Sequence, residues 1–225
     1  MQTPQHKNRS QYKLSPSDFA YLYEECKLCY YLKVKEGLHR PPSIMPGVFS
    51  AINTLIQGDL IGKNLKELSP ELPDCIVESQ EKFVESIIVP ETQCYIKGKY
   101  DLLCRNPDDT YTLVDLKISR PDEEKIEKYR TQLTSYKFAM ENPRREEPIK
   151  ITKMGLLIFY PDSVEIEHGT ALMNFPPTWM EMTTDEGSFF EFLREINDLL
   201  SGKKPEPNSD CKNCEYYDSR QQHEE

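Results

Sequence analysis

The spacing of apolar residues changes period along the chain. Ser15-Pro16-Ser17-Asp18 opens the first run with a capping serine, a proline suited to the first helical position and an acid in the first turn. Phe19, Leu22, Cys26, Cys29 and Leu32 follow at helical spacing, and Gly37 supplies a stop. Arg40-Pro41-Pro42 breaks the chain. Met45 to Leu68 is helical again in pattern, with Val48, Ile52, Leu55 and Ile56 on one side and Gly58 and Gly62 weakening its middle. From Lys82 the period shortens. Residues 82–89, 95–105 and 111–118 are rich in β-branched and aromatic side chains and predict strands. Asn106-Pro107-Asp108-Asp109 joins the last two as a hairpin turn. Residues 122–141 predict a helix, 151–160 a buried strand, and 164–168 and 171–175 two short strands. A last helix over 185–200 carries Phe189, Phe192, Leu193, Ile196 and Leu200 as its core stripe, and Gly202 ends it. The resulting order, α, α, β, β, β, α, β, β, α, predicts an α/β (α+β) fold with a mixed sheet flanked by helices. We expect one domain over 14–217 between flexible tails at 1–13 and 218–225.

Composition narrows the classes. A chain of 225 residues suits a single large domain. No stretch approaches the ~18 apolar residues of a membrane span. The polar start lacks the apolar region of a secretion signal. Seven cysteines, an odd number, then point to reduced thiols or metal ligands in a cytoplasmic protein. A net charge of −10 argues against a non-specific nucleic-acid coat. It leaves room for an enzyme that lines one groove with cations. Lys125, Lys128, Arg130 and Lys137, or Lys33, Lys35, His39 and Arg40, are the candidates. Tyr30 and Tyr31 are candidates for stacking on single-stranded bases.

The chemistry concentrates between Gly98 and Tyr136. Gly98-Lys99-Tyr100-Asp101 falls within a predicted strand, and Asp115-Leu116-Lys117 follows beyond the hairpin turn. Alternation sends Asp115 and Lys117 to one sheet face, and the hairpin brings the 101 region beside them. Two carboxylates suit a hard cation such as Mg²⁺ or Mn²⁺. An ammonium beside them can orient a water and offset charge on a phosphodiester. Each piece alone is common, since an isolated Asp–Lys pair is ordinarily a solvated ion pair. Gln132 and Tyr136, four apart, share a face of the following helix.

Together these residues resemble the RecB-like branch of the PD-(D/E)xK nuclease superfamily: a G-x-x-D strand, a (D/E)-x-K strand after a hairpin, and a helix with Q-x-x-x-Y. The resemblance implies a restriction-endonuclease-like core and metal-dependent DNA hydrolysis, exonucleolytic or end-processing, on single-stranded DNA or duplex ends. It implies Asp101, Asp115 and the Leu116 carbonyl as metal ligands and Lys117 as catalytic. It implies Gln132 and Tyr136 as residues that support the site or contact the DNA backbone. Many such nucleases add a histidine on an early helix, a few residues after a glycine. Gly47 is followed by no histidine here, with Asn53 and Asp59 the weak substitutes. The alternative is a nucleic-acid-binding or structural module that keeps the fold without the activity.

Cys26-Lys27-Leu28-Cys29 and Cys211-Lys212-Asn213-Cys214 form two C-x-x-C pairs. Four thiolates suit tetrahedral Zn²⁺ or an iron–sulfur cluster. Exonucleases of the CRISPR-adaptation and AddB types, which the chain is similar to, hold a 4Fe–4S cluster with cysteines from both ends of the domain. The resemblance therefore implies that cluster, with Zn²⁺ as the alternative. The usual arrangement there is one cysteine upstream and three downstream, and the two-plus-two arrangement here departs from it. Cys75, Cys94 and Cys104 stand alone and are expected in the core.

Overall fold

The computed structural model describes residues 11–42 and 46–224, with the backbone alone for 124, 125 and 221–224. Two sheets carry the chemistry. The larger contains β2 (Ile76–Gln80), β5 (Leu102–Arg105), β6 (Tyr111–Ile118), β7 (Ile151–Phe159) and β10 (Pro177–Met182), in the order β10-β7-β6-β5-β2. It is mixed: β6 and β7 run parallel, and the other neighbours antiparallel. The smaller sheet is β1 (Tyr12–Leu14), β4 (Cys94–Lys99) and β3 (Phe83–Ile88), with β4 in the centre. β8 (Ser163–Glu167) and β9 (Thr170–Asn174) form a separate hairpin. Its turn residues His168 and Gly169 both have positive φ, 47° and 78°, which suits the twist of a two-residue hairpin turn.

The parallel β6–β7 pair requires a crossover, and α4 (Glu124–Glu141) is that crossover. Alternation along β6 then divides the core in two. Leu113 packs with Leu133 and Tyr136 of α4 and with Phe189, Leu193 and Ile196 of α5 (Glu186–Ser201). Val114 and Leu116 face the opposite layer with Leu60 of α3 (Gly47–Leu60). Asp115 and Lys117 share the parity of Leu113 and so face α4.

Several elements differ from the sequence expectation, each for a local reason. The first helix is broken. α1 (Pro16–Asp18) widens into a π-helical turn over Phe19–Tyr23, Cys26 is extended (φ −162°, ψ 113°), and α2 (Lys27–Tyr31) restarts and widens again over Leu32–Glu36. Gly37 ends it in the left-handed region, at φ 68°. The second helix starts after Pro46 and stops at Leu60, because Gly62 turns at φ 79°. Met45 lies outside the described residues. Val48 and Leu55 are exposed rather than core. The strand expected over 95–105 is two, in different sheets, with the chain crossing at Tyr100-Asp101. β2 and β10 were not expected: acids and a flanking proline mask the alternation of β2, and Pro177 opens β10, which is tolerated at an edge strand.

The expected tails also change. Tyr12 and Lys13 belong to β1, paired with Cys94 and Tyr95. The C-terminal segment is α6 (Lys212–Glu224), which takes in 218–224. Cys211 immediately precedes it.

Candidate active site and cysteine centre

The end of the β5–β6 ladder makes the site. The pairing stops at Leu102 opposite Val114. The next N–H of β6 on that side belongs to Leu116, and it donates to Asp101 Oδ2 at 2.9 Å. Asp101 therefore lies in the bend between sheets and takes the place of a strand partner, rather than sitting inside a strand as its sequence context suggested. Asp115 is buried, at 3% exposure. Its Oδ1 accepts from Gln132 Nε2 at 2.9 Å. Lys117 Nζ stands 2.5 Å from Asp115 Oδ2. The same ammonium lies 4.6 Å from the centre of the Tyr129 ring.

Electrostatics follow from this crowding. Burial, and then the neighbouring Asp115 carboxylate, push Asp101 up to about 7, against weaker pulls from Lys117 and the Leu116 N–H. Burial alone would pull the Lys117 ammonium down; Asp115 and Asp101 outweigh it and hold Lys117 above its ordinary value. Two carboxylates facing one ammonium leave a surplus of negative charge. The buried Asp115 Oδ2 is met, among the described residues, by the Lys117 ammonium alone. Both observations fit a divalent cation held by oxygen. Among the described residues, no third histidine, cysteine or carboxylate completes a cluster with Asp101 and Asp115.

An acid with a folded pKa near 7 binds more protons folded than unfolded between that value and its unfolded pKa, about 3.9. Stability from this group therefore falls as pH rises through the window. Asp101→Asn keeps an acceptor for the Leu116 N–H and removes the titration. In chelator its melting temperature is expected to exceed the wild-type value by roughly 5 °C at pH 8 and by much less at pH 5. Equal gaps at the two pH values would show that ionising Asp101 costs the fold nothing.

Gln132 and Tyr136 act on different parts of the site. Gln132 holds Asp115. Tyr136 OH donates to the Lys99 carbonyl at 2.8 Å, which fixes the chain just before Asp101. Burial, with Asp101 and Asp115 adding to it, raises the Tyr136 hydroxyl and keeps it a donor. The tyrosine ring stands directly on Gly98. A Cβ there would meet Pro16 Cδ at 2.9 Å and the Tyr136 ring and hydroxyl at 3.0 Å. Gly98→Ala is expected to cost about 1–3 kcal/mol, read as a lower melting temperature. An unchanged melting temperature would mean the contact relaxes freely.

Tyr129 and Tyr21 were not singled out by sequence. Their hydroxyls are 2.5 Å apart, and Lys128 Nζ lies 3.8 Å from the centre of the Tyr21 ring. Tyr129 was placed only among the apolar members of α4. Its position three residues before Gln132 was the available signal, since it shares that face. Four of the eight cations proposed for a groove have acidic partners: Arg130 with Glu127, Lys137 with Glu141, Lys33 with Asp18, and Arg40 with Glu25. The side chain of Lys125 lies outside the described residues. Tyr30 and Tyr31 are buried and packed in the core.

The four paired cysteines meet at the other end of this layer. Their sulfurs all lie within 4.8 Å of one another. Cys29 Sγ is 3.8 Å from Cys211 Sγ and 3.6 Å from Cys214 Sγ, and Cys26 Sγ is 3.9 Å from Cys214 Sγ. Burial raises Cys26, but backbone N–H donors and its sulfur neighbours prevail and leave it at about 7. Arg40 Nη2 donates to Cys211 Sγ at 3.3 Å, and Asn213 Nδ2 to Cys29 Sγ at 3.6 Å. The four can hold a metal. A cavity of about 1010 Å³ opens beside the cysteines rather than beside the carboxylates. Its wall mixes Asp18, Glu25 and Asp210 with Lys33, Arg40 and Lys212, which suits a phosphate strand poorly.

The model of the PD-(D/E)XK nuclease superfamily matches residues 60–219. The chain belongs to that superfamily. The match spans the two carboxylates, Lys117, Gln132, Tyr136 and the second cysteine pair, and begins after the first pair. The superfamily's chemistry is nucleic-acid hydrolysis with divalent metals. A solved structure titled "Crystal structure of SSO0001" is 16% identical over 96% of this chain and 86% of that one, with a TM-score of 0.43. No curated protein matches the sequence. Among the described residues, no helix is long and apolar enough to cross a membrane.

Proposed function

We propose that the protein is a Mg²⁺- or Mn²⁺-dependent DNA nuclease, exonucleolytic or end-processing, acting in the cytoplasm. The observation that carries this is the convergence of Asp101 and the buried Asp115 at the end of the β5–β6 ladder, with Lys117 Nζ 2.5 Å from Asp115 Oδ2. Asp101 and Asp115 are the metal ligands in this proposal. The Leu116 carbonyl is the third, since a strand residue's N–H and C=O point the same way and the Leu116 N–H already points at Asp101. A divalent cation bound there supplies charge against the phosphate and acidifies a water. Gln132 occupies Asp115 Oδ1 and so presents Oδ2. Tyr136, through Lys99, sets the bend that presents Asp101. Lys117 orients the attacking water and offsets the charge that develops on the phosphate. Tyr129 covers one side of its ammonium and excludes water from it.

The test is cleavage of end-labelled single-stranded and duplex DNA with Mg²⁺, Mn²⁺ or chelator. Cleavage with metal and none in chelator is expected. Mn²⁺ is expected to support more than Mg²⁺, because Mg²⁺ demands near-ideal octahedral geometry and the early helix brings no histidine. Protein that binds DNA yet cuts neither substrate with either ion would be a binding module on a nuclease fold.

A further inference from the structure

The sulfur geometry separates two kinds of metal centre. Four thiolates around one ion at ~2.3 Å stand about 3.8 Å from one another. In a 4Fe–4S cluster each thiolate takes its own iron at a corner of the cage, and the sulfurs stand roughly 6 Å apart. Here three sulfur pairs are 3.6, 3.8 and 3.9 Å apart, and no pair exceeds 4.8 Å. The cage is too tight for the cluster that the family resemblance implies. We infer that Cys26, Cys29, Cys211 and Cys214 hold a single zinc ion in a closed, structural tetrathiolate site. This does not depend on the nuclease proposal.

Three further observations fit. Cys29 lies almost equally far from Cys211 and Cys214, which is the pattern of a shared centre; a pair of disulfides would give each sulfur one partner. Cys26, Cys29 and Cys211 are buried and Cys214 is half-buried, and four protein thiolates fill a tetrahedral ion's coordination, leaving no position for water or substrate. The charge is also partly offset. Zinc with four thiolates carries −2, and the donors around it are the Arg40 guanidinium on Cys211, the Asn213 amide on Cys29 and backbone N–H groups of residues 29 and 208 on Cys26. Donors of this kind orient ligands and tune affinity. Arg40 is itself anchored, since Nη1 reaches Glu25 at 2.5 Å. Arg40 is thus a positioning residue of the metal site rather than a phosphate contact.

Metal analysis of anaerobically purified, full-length protein is the test. We expect one zinc per chain, no acid-labile sulfide, no band near ~400 nm, and a zinc-edge absorption spectrum fitted by four sulfurs at ~2.3 Å. Brown protein with four irons and four sulfides would overturn the inference, and so would metal-free protein with two disulfides. Arg40→Met removes the donor to Cys211 without touching a ligand. Its zinc affinity, measured by competition with a chromophoric chelator, should fall by about 10–100-fold. Undiminished affinity would remove Arg40 from the site. These readouts are indifferent to cleavage, so an inactive protein could still carry the zinc, and an active one could lack it.

Discussion

Lys117→Ala is expected to lower DNA cleavage by about a hundredfold to a thousandfold while DNA binding persists. The scale is that of removing one preorganised donor from a site where charge develops. The ammonium sits on the Asp115 carboxylate and 4.6 Å from the centre of the Tyr129 ring, so water does not replace it in the same place. Its loss also strips the carboxylates of their counter-charge. The variant should melt lower than wild type in chelator, and the gap should widen above pH 7, where the pair must ionise without a cation. Cleavage rates in Mn²⁺, anisotropy with labelled DNA in Ca²⁺, and melts at pH 6 and pH 8 check these three statements. Asp115→Ala should lose cleavage and metal-induced stabilisation together. Cleavage that survives Lys117→Ala and Asp115→Ala combined would place the chemistry elsewhere.

Cys29→Ser is expected to cause the largest loss of stability. Cys29 and Cys211 are 182 residues apart in sequence, so joining them through one centre closes a long loop. A cross-link over a loop of that order contributes about 5 kcal/mol by chain entropy, and a bound structural metal adds its own binding energy. For a domain of this size that corresponds to a melting temperature lower by roughly 10–20 °C. Cys94→Ala is the companion: Cys94 is buried away from the centre and its thiol is pushed up to about 12 by burial, so this variant should keep its metal. Equal melting losses in the two variants would show that the four-sulfur centre contributes no more than ordinary core packing.

Much of this was legible in the chain, and the limits have physical causes. Period-two alternation put Asp115 and Lys117 on one face, and β6 was bounded correctly at Tyr111 and Ile118 because both flanks carry turn or polar residues. Cys26 and Cys29 were grouped by helical spacing, yet Cys26 reaches its partners because the helix breaks there. Sequence shows the two C-x-x-C pairs, but not the distance between them, which only the fold sets. Asp101 was placed in a strand because apolar and aromatic residues run on both sides of it from Tyr95 to Cys104; the crossing between sheets is a tertiary event, held by Tyr136 on the Lys99 carbonyl. Tyr21 gave no signal, because its partner Tyr129 is 108 residues away. Arg40 read as a groove cation for the same reason: its carboxylate and thiolate partners are set by the fold.

The separation of the two cysteine pairs in sequence has a consequence for the order of assembly. A chain synthesised only as far as residue 210 already contains Asp101, Asp115, Lys117, Gln132 and Tyr136. It also contains the β1–β4 pairing and the core residues Phe19, Tyr23 and Tyr30 that seat the N-terminal segment. Only the sulfur centre waits for Cys211 and Cys214, so it is expected to close last, onto a layer that is already in place.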